Sequence, residues 1–244
     1  MKTLQLTDPE YDLDPQESSS FTYIIASTPR CGSSYLSKHL WETGILGCPA
    51  EYFNFNKLLF RLTARFGVET PIDYLKALKR VRTTPNGVFG VKVHFDHLQF
   101  LSISGLLQQL SPVKFVRLIR NEPISEAVSL SRALQTGAWH SQISEADKPE
   151  VYRVSHINWC FQHLRLQKQG WDQFFESHKL PHMTVKYETL VADTPAVIAA
   201  ITQNLGFPTT PKLTVSLPEM NKQSNSLNQE WIERYEQDPQ RVQT

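Results

Sequence analysis

The chain has 244 residues, 40% of them hydrophobic and 20% charged, with a formal net charge of +1. A chain of this size buries one sizeable core, and its composition is that of an ordinary globular domain. The near-neutral charge offers no electrostatic footprint for nucleic acid or an anionic membrane surface. No apolar run approaches the roughly 20 residues that span a bilayer. The N-terminus lacks a basic region followed by a hydrophobic one, so no signal peptide is expected. Cys31, Cys48 and Cys160 are an odd count without CxxC spacing. That predicts neither a disulfide framework nor a zinc site, and it fits a reducing cytoplasm.

Residues 1–20 are polar, with Pro9, Pro15 and the run Ser18-Ser19-Ser20. They are expected to form a flexible N-terminal arm, leaving 21–244 as a single domain. Phe21-Thr22-Tyr23-Ile24-Ile25-Ala26 predicts a short buried strand. The polar turn Ser27-Thr28-Pro29-Arg30-Cys31-Gly32-Ser33-Ser34 follows, and then Tyr35, Leu36, His39, Leu40 and Thr43 recur at helical spacing. Strand, small-residue turn and helix make the layout of a phosphate cradle, because turn amides and a helix N-terminus converge on an anion. Gly32 permits close backbone approach, Ser33 and Ser34 add hydroxyls, and Arg30 adds a forked cationic donor. The turn lacks the lysine of a Walker A loop, which disfavours a triphosphatase. The plainer alternative is a strand-to-helix turn with a capped helix.

The next loop, Gly47-Cys48-Pro49-Ala50-Glu51-Tyr52-Phe53-Asn54, carries one carboxylate among small and aromatic residues. Beside an anion cradle Glu51 suits a general base, and otherwise it caps or solvates its loop. Residues 56–82 predict two surface helices, and Thr84-Pro85-Asn86-Gly87 a turn. Val88 to Val93 predicts a second strand with Lys92 at its C-terminal end, where ligands collect in open parallel sheets. His94 and His97 follow as alternative bases. Val113 to Ile119 predicts a third strand ending in Arg120, then a helix through Thr136 bearing Ser125 and Ser129. Arg120 so placed is either a phosphate clamp or a surface ion-pair partner. Residues 149–178 predict a long helix or helix pair, with Trp159, Phe161, Leu164, Leu166, Trp171 and Phe174 as its core stripe. A fourth strand is expected over Met183–Tyr187 and a helix over Pro195–Leu205 closed by Gly206. From Pro208 the tail has little apolar periodicity until Leu227–Tyr235. The alternation of strands and helices argues for an α/β sandwich with a mainly parallel sheet.

Together these pieces resemble a sulfotransferase that uses 3′-phosphoadenosine 5′-phosphosulfate (PAPS). The features are the lysine-free cradle, the strand ending in Arg120 before a serine-bearing helix, and Val185-Lys186-Tyr187-Glu188-Thr189-Leu190 ahead of an Asp-x-Pro helix. More narrowly, the chain resembles the bacterial trehalose 2-sulfotransferase family. The similarity is carried by Ala26-Ser27 through Gly32-Ser33; Thr43-Gly44 through Pro49-Ala50-Glu51-Tyr52-Phe53; Thr84 to Gly90 with Lys92; and Ala127-Val128-Ser129 through Arg132 to Thr136 with Trp139. Glu230-Trp231-Ile232-Glu233-Arg234-Tyr235 resembles that family's C-terminus. The likeness spans about residues 21–238.

The resemblance implies a three-layer α/β sandwich with a P-loop-like phosphosulfate-binding strand-loop-helix. It maps the phosphosulfate loop on Arg30, Cys31, Gly32, Ser33 and Ser34, and the 3′-phosphate contacts on Arg120 and Ser129, with Ser125 the other candidate. It maps the general base on Glu51, with His94 its rival, and the acceptor side on Cys48, Pro49, Ala50, Glu51, Tyr52 and Phe53. Arg30 and Lys92 join Glu51 in the catalytic set, Lys92 stabilising charge or orienting the acceptor. The implied reaction moves a sulfuryl group from PAPS, without a metal, to a hydroxyl of a carbohydrate or glycolipid; a homodimer is left open. The cradle departs from the family at Pro29, which stands where a sugar-contacting Gln is expected, so the acceptor sugar is open. The rival classes are a kinase-like phosphotransferase and a non-catalytic nucleotide-binding adaptor on the same fold.

Overall fold

The computed structural model describes residues 6–55, 58–110, 113–139, 150–207 and 226–242. Four strands, β1 (Phe21–Ser27), β2 (Val88–His94), β3 (Val113–Ile119) and β4 (His182–Lys186), form one sheet in the order β2-β1-β3-β4. Every neighbouring pair is parallel. β1 and β2 are covered on both faces, which explains why their sequences are nearly continuous apolar runs. The chain leaves β1 to build β2 on one side and returns to build β3 on the other. The strand order therefore reverses at β1, and the crevice at its C-terminal end is where ligands bind in such sheets.

Two cores sandwich the sheet. Tyr23 and Ile25 of β1, with Val116, Leu118 and Val185, pack against α1 (Ser33–Glu42), α8 (Tyr187–Ala192) and α9 (Thr194–Leu205). On the other face Ile24, Ala26, Phe89, Val91, Val93 and Phe115 pack against α2 (Leu58–Phe66), α3 (Pro71–Arg82), α4 (Phe95–Ile103), α5 (Leu106–Leu110) and α7 (Val154–Ser177). The result is the expected three-layer architecture. A third cluster joins α6 (Pro123–Thr136), α7 and α10 (Ser226–Gln237) through Val128, Ile157, Phe161, Leu164 and Trp231. The tail from Pro208 to position 225 lies outside the described residues.

Several expectations need revision. Residues 6–20 are docked on the body of the protein. Leu13 N–H donates to the Val81 carbonyl at 2.9 Å and Gln16 N–H to that of Arg80 at 2.8 Å. The fully buried Arg82 guanidinium pairs with Asp12 and donates to the Leu6 and Tyr11 carbonyls. A buried cation needs partners, and this arm supplies them. Strand β2 runs one residue further, to His94, and α4, α5 and α8 were not anticipated. β4 begins at His182 and ends at Lys186, so Tyr187 opens a helix. On α7, Phe161, Leu164 and Trp171 are buried, whereas Trp159 and Leu166 are 54% and 62% exposed. Seven residues apart, these two share the outward face.

Candidate active site

Ser27–Ser34 leaves the end of β1 and turns into α1. Arg30 has φ 66 and Gly32 φ 90, two left-handed residues within three positions. Alternating backbone hands of this kind turn successive amides into one concavity, an anion nest, and here it opens at a helix N-terminus. Gly32 has a second constraint, since a Cβ there would lie 2.3 Å from Tyr187 Cδ2. The Trp171 indole holds the start of the loop by donating to the Ser27 carbonyl at 3.0 Å. Thr28 Oγ1 donates to Glu126 Oε1 at 2.6 Å, and Lys168 Nζ donates to Glu126 Oε2 at 2.6 Å. The Glu126 side chain is fully buried, and burial raises its pKa against the pull of Lys168.

Arg30 and Arg120 stand together at the cradle. Arg30 Nε donates to Ser129 Oγ at 2.9 Å and Nη1 to the Trp139 carbonyl at 2.9 Å. Arg120 Nη2 donates to Ser125 Oγ at 2.6 Å, and Nη1 reaches the Arg30 carbonyl at 3.4 Å. The expected partnership is thus redistributed: Ser125 serves Arg120, and Ser129, one turn further along α6, serves Arg30. The Arg120 guanidinium also lies 4.9 Å from the Tyr187 ring centroid. Burial, and then the like charge of Arg120, bring the Arg30 pKa down to about 10. An anion between the two guanidinium groups would relieve both effects. Beyond Arg120 a cavity of about 440 Å³ opens between Arg117, Ile119, Lys168, Asp172, His182 and Thr184.

Across the cradle Lys92 sits at the end of β2, its side chain 5% exposed, with Nζ 2.8 Å from Glu51 Oε1. The same ammonium donates to Ser34 Oγ at 2.9 Å. The Asn54 amide donates to Glu51 Oε2 at 2.8 Å. Burial alone raises the Glu51 pKa, but Lys92, His94 and Asn54 outweigh it and hold the carboxyl well below the usual range. The rest of the expected acceptor loop turns inward. Cys48, Pro49, Ala50, Tyr52 and Phe53 are all buried, and the Tyr52 hydroxyl is spent on the Cys48 carbonyl. Of the six residues mapped to the acceptor side, Glu51 alone offers its functional group to the site. Cys31 is likewise a core residue, with its thiol pushed up by burial to about 11. It can contribute to the cradle only through its backbone.

His94 Nε2 lies 3.5 Å from Glu51 Oε1. At the start of α4 the His94 and His97 rings stack with centroids 5.1 Å apart, and the His97 amide donates to Asp96 Oδ1 at 3.0 Å. His97 Nδ1 accepts from the His94 amide at 3.5 Å, and His94 Nε2 has no such partner. Burial lowers the His94 pKa to about 4, so the ring is neutral at physiological pH. A neutral ring this close to Glu51 keeps His94 as the rival base. Among the described residues, His94, Asp96 and His97 bring ligand atoms within 4.8 Å of one another.

Tyr187, Glu126 and Lys168 were not singled out in the sequence as site residues. Tyr187 follows β4 directly, a strand-end position that could have marked it. Glu126 lies in the first turn of α6, and no local signal ties it to Thr28.

The arrangement has a clear class. Solved structures that share the fold are sulfotransferases. One is a sulfotransferase from Alicyclobacillus acidocaldarius, with TM-score 0.51, 12% identity, and coverage of 82% of this chain and 87% of that one. Another is the sulfotransferase domain of the curacin biosynthetic pathway, with TM-score 0.54, 15% identity, and coverage of 81% and 77%. The Stf0 sulphotransferase family model matches residues 22–238, and the chain belongs to that family. It is 26% identical to trehalose 2-sulfotransferase of Mycobacterium tuberculosis and 27% identical to that of Mycolicibacterium smegmatis, each over 90% of this chain and 96% of the relative. No helix among the described residues is long and apolar enough to cross a membrane.

Proposed function

We propose that this protein transfers the sulfuryl group of PAPS to a hydroxyl of a carbohydrate or glycolipid acceptor, with Glu51 taking the proton. The observation that carries the reading is the division of charge about the cradle. Arg30, Arg120 and Lys92 converge on the nest, and Glu51 stands across it as the facing carboxylate. Arg120 with Ser125, and Arg30 with Ser129, form a double clamp suited to a 3′-phosphate. The nest amides and Ser34 face the 5′-phosphosulfate. The acceptor oxygen attacks sulfur while the S–O bond to phosphate breaks. The products are the sulfate ester and adenosine 3′,5′-bisphosphate, and the hydroxyl proton passes to Glu51. Charge spreads over the equatorial oxygens, as in phosphoryl transfer, so positioning and fixed cations do most of the work. The family membership and the names of the relatives favour a sugar acceptor, and Pro29 leaves its identity open.

Calorimetry with adenosine 3′,5′-bisphosphate, ADP and AMP tests the donor half. The bisphosphate should bind far more tightly, because the Arg120 clamp is idle without a 3′-phosphate. Equal affinity for ADP would sink the reading. Transfer of ³⁵S from labelled PAPS to a panel of sugars and glycolipids then tests the acceptor half.

A further inference from the structure

Lys92 joins the two halves of the site. Its ammonium touches Ser34 at 2.9 Å, in the first turn of α1, and Glu51 at 2.8 Å. One cation therefore reaches both the place for the donor's anion and the carboxylate that would receive the acceptor's proton. Ser34 is a neutral partner. An anion in the cradle would add a full opposite charge at the same contact distance, in direct competition with Glu51 for the ammonium. We propose that Lys92 couples cradle occupancy to the strength of the base: an anion in the cradle draws the ammonium off Glu51, which becomes a competent proton acceptor only when the donor is loaded. The inference rests on the reading of Glu51 as proton acceptor.

The other groups around Glu51 do not replace this control. His94, from β2, is neutral, its pKa lowered by burial to about 4. His97, from α4, has its pKa lowered by burial. Arg30, from the cradle, is tied to Ser129 and the Trp139 carbonyl. Asn54, on the same loop as Glu51, is uncharged and stays in place. Lys92 is the charge in direct contact with Glu51 that also has somewhere else to go. When it leaves, the cost of burying the carboxylate is no longer offset, and its affinity for a proton rises. In the empty enzyme the carboxylate stays in its ion pair and draws no proton from an acceptor that arrives first.

The test is a ¹³C titration of the glutamate carboxyls, with Glu51 assigned from the Glu51→Gln variant, in the free enzyme and with saturating adenosine 3′,5′-bisphosphate. In the wild type the ligand should raise the Glu51 pKa by about 1 to 3 units, the range a contacting opposite charge contributes. In Lys92→Met, or Lys92→Gln should the first fail to fold, the pKa should already be raised and the ligand should add little. An unmoved wild-type value alongside calorimetric binding would overturn the coupling and leave the donor reading standing. The same shift in variant and wild type would assign the effect to the ligand's own field and overturn the role of Lys92. Failure of the bisphosphate to bind would overturn both readings. Wild-type kinetics decide the matter if neither variant folds. The acid limb of kcat must lie at higher pH than that of kcat/KM for the donor, which reports the free enzyme; coincident limbs reject the proposal.

Discussion

Gly32 lies against the ring of Tyr187 so closely that a single added methyl would sit 2.3 Å from Cδ2 and 2.7 Å from Cε2. The same ring carries the Arg120 guanidinium 4.9 Å from its centroid. The cradle, the ring at the end of β4 and the cationic clamp at the end of β3 are therefore one packed stack. The positions of three successive strand ends in the sheet, β1, β3 and β4, fix the distance between nest and clamp.

Gly32→Ala should accordingly damage the site in two ways. Left-handed backbone costs a non-glycine residue about 1 to 2 kcal/mol, and the new methyl displaces Tyr187 and with it Arg120. Thermal unfolding should show the lost stability, and calorimetry should show loss of bisphosphate binding. Gly32→Ala combined with Tyr187→Ala should recover part of the loss, because the clash is removed and the backbone strain stays. Strict additivity in that double-mutant cycle would mean that the two residues do not interact.

Arg120→Ala should weaken adenosine 3′,5′-bisphosphate binding by about 2 to 4 kcal/mol, the scale of a charge-assisted phosphate contact. Binding of AMP should change little. Ser125→Ala should follow Arg120→Ala more closely than Ser129→Ala does, because Ser125 holds the Arg120 guanidinium. A larger effect from Ser129→Ala would restore the pairing expected from the sequence.

Glu126→Gln should loosen the cradle from below. The buried carboxylate accepts from both Thr28 and Lys168, and replacing a charged acceptor in such bonds costs about 1.5 to 3 kcal/mol. Thermal melts should show that loss, and Thr28→Val should show part of it. If the two variants leave both the melting temperature and bisphosphate affinity unchanged, the network is a passive feature of the core.

The parts of the site that were legible in the sequence are those held by local rules. Phe21–Ser34 announces a buried strand, a permissive turn and a helix in one continuous run, and Lys92 and Arg120 are readable as strand-end residues because sheet strands are short and apolar. The unreadable parts depend on contacts between distant segments. Nothing near Asp12 shows that it serves the buried Arg82, 70 positions away. Glu126 meets Thr28 across 98 positions. The inward turn of Tyr52 and Phe53 follows from packing against β2 and α3. In the sequence the same aromatics suit a sugar platform equally well. The choice between Ser125 and Ser129 depends on which guanidinium lies nearer, and helical spacing puts both serines on one face.

Activity should survive exhaustive chelation with EDTA. The proposed chemistry takes its positive charge from Arg30, Lys92 and Arg120, with no step assigned to a metal. Loss of turnover on chelation, restored by Mg²⁺, would point to the phosphotransferase class instead.

Glu51→Gln keeps the shape and hydrogen-bonding capacity of the side chain and removes its basicity. General bases contribute about 10² to 10⁴-fold, so kcat should fall by that order while bisphosphate affinity stays within about twofold. His94→Asn should cost less, because His94 only approaches Glu51, at 3.5 Å, while Lys92 holds the carboxylate at 2.8 Å. The pH profile follows from the sign of the Glu51 shift. Its pKa in the free enzyme lies well below the usual carboxylate range, so the group is ionised above that value and is lost as a base only when pH falls through it. kcat/KM for the donor should therefore be flat across the ordinary carboxylate range and drop only in stronger acid. A near-normal kcat in Glu51→Gln beside a crippled His94→Asn would move the base to the histidine. If both variants stay active, neither residue takes the proton, and the Lys92–Glu51 ion pair is an anchor for its loop.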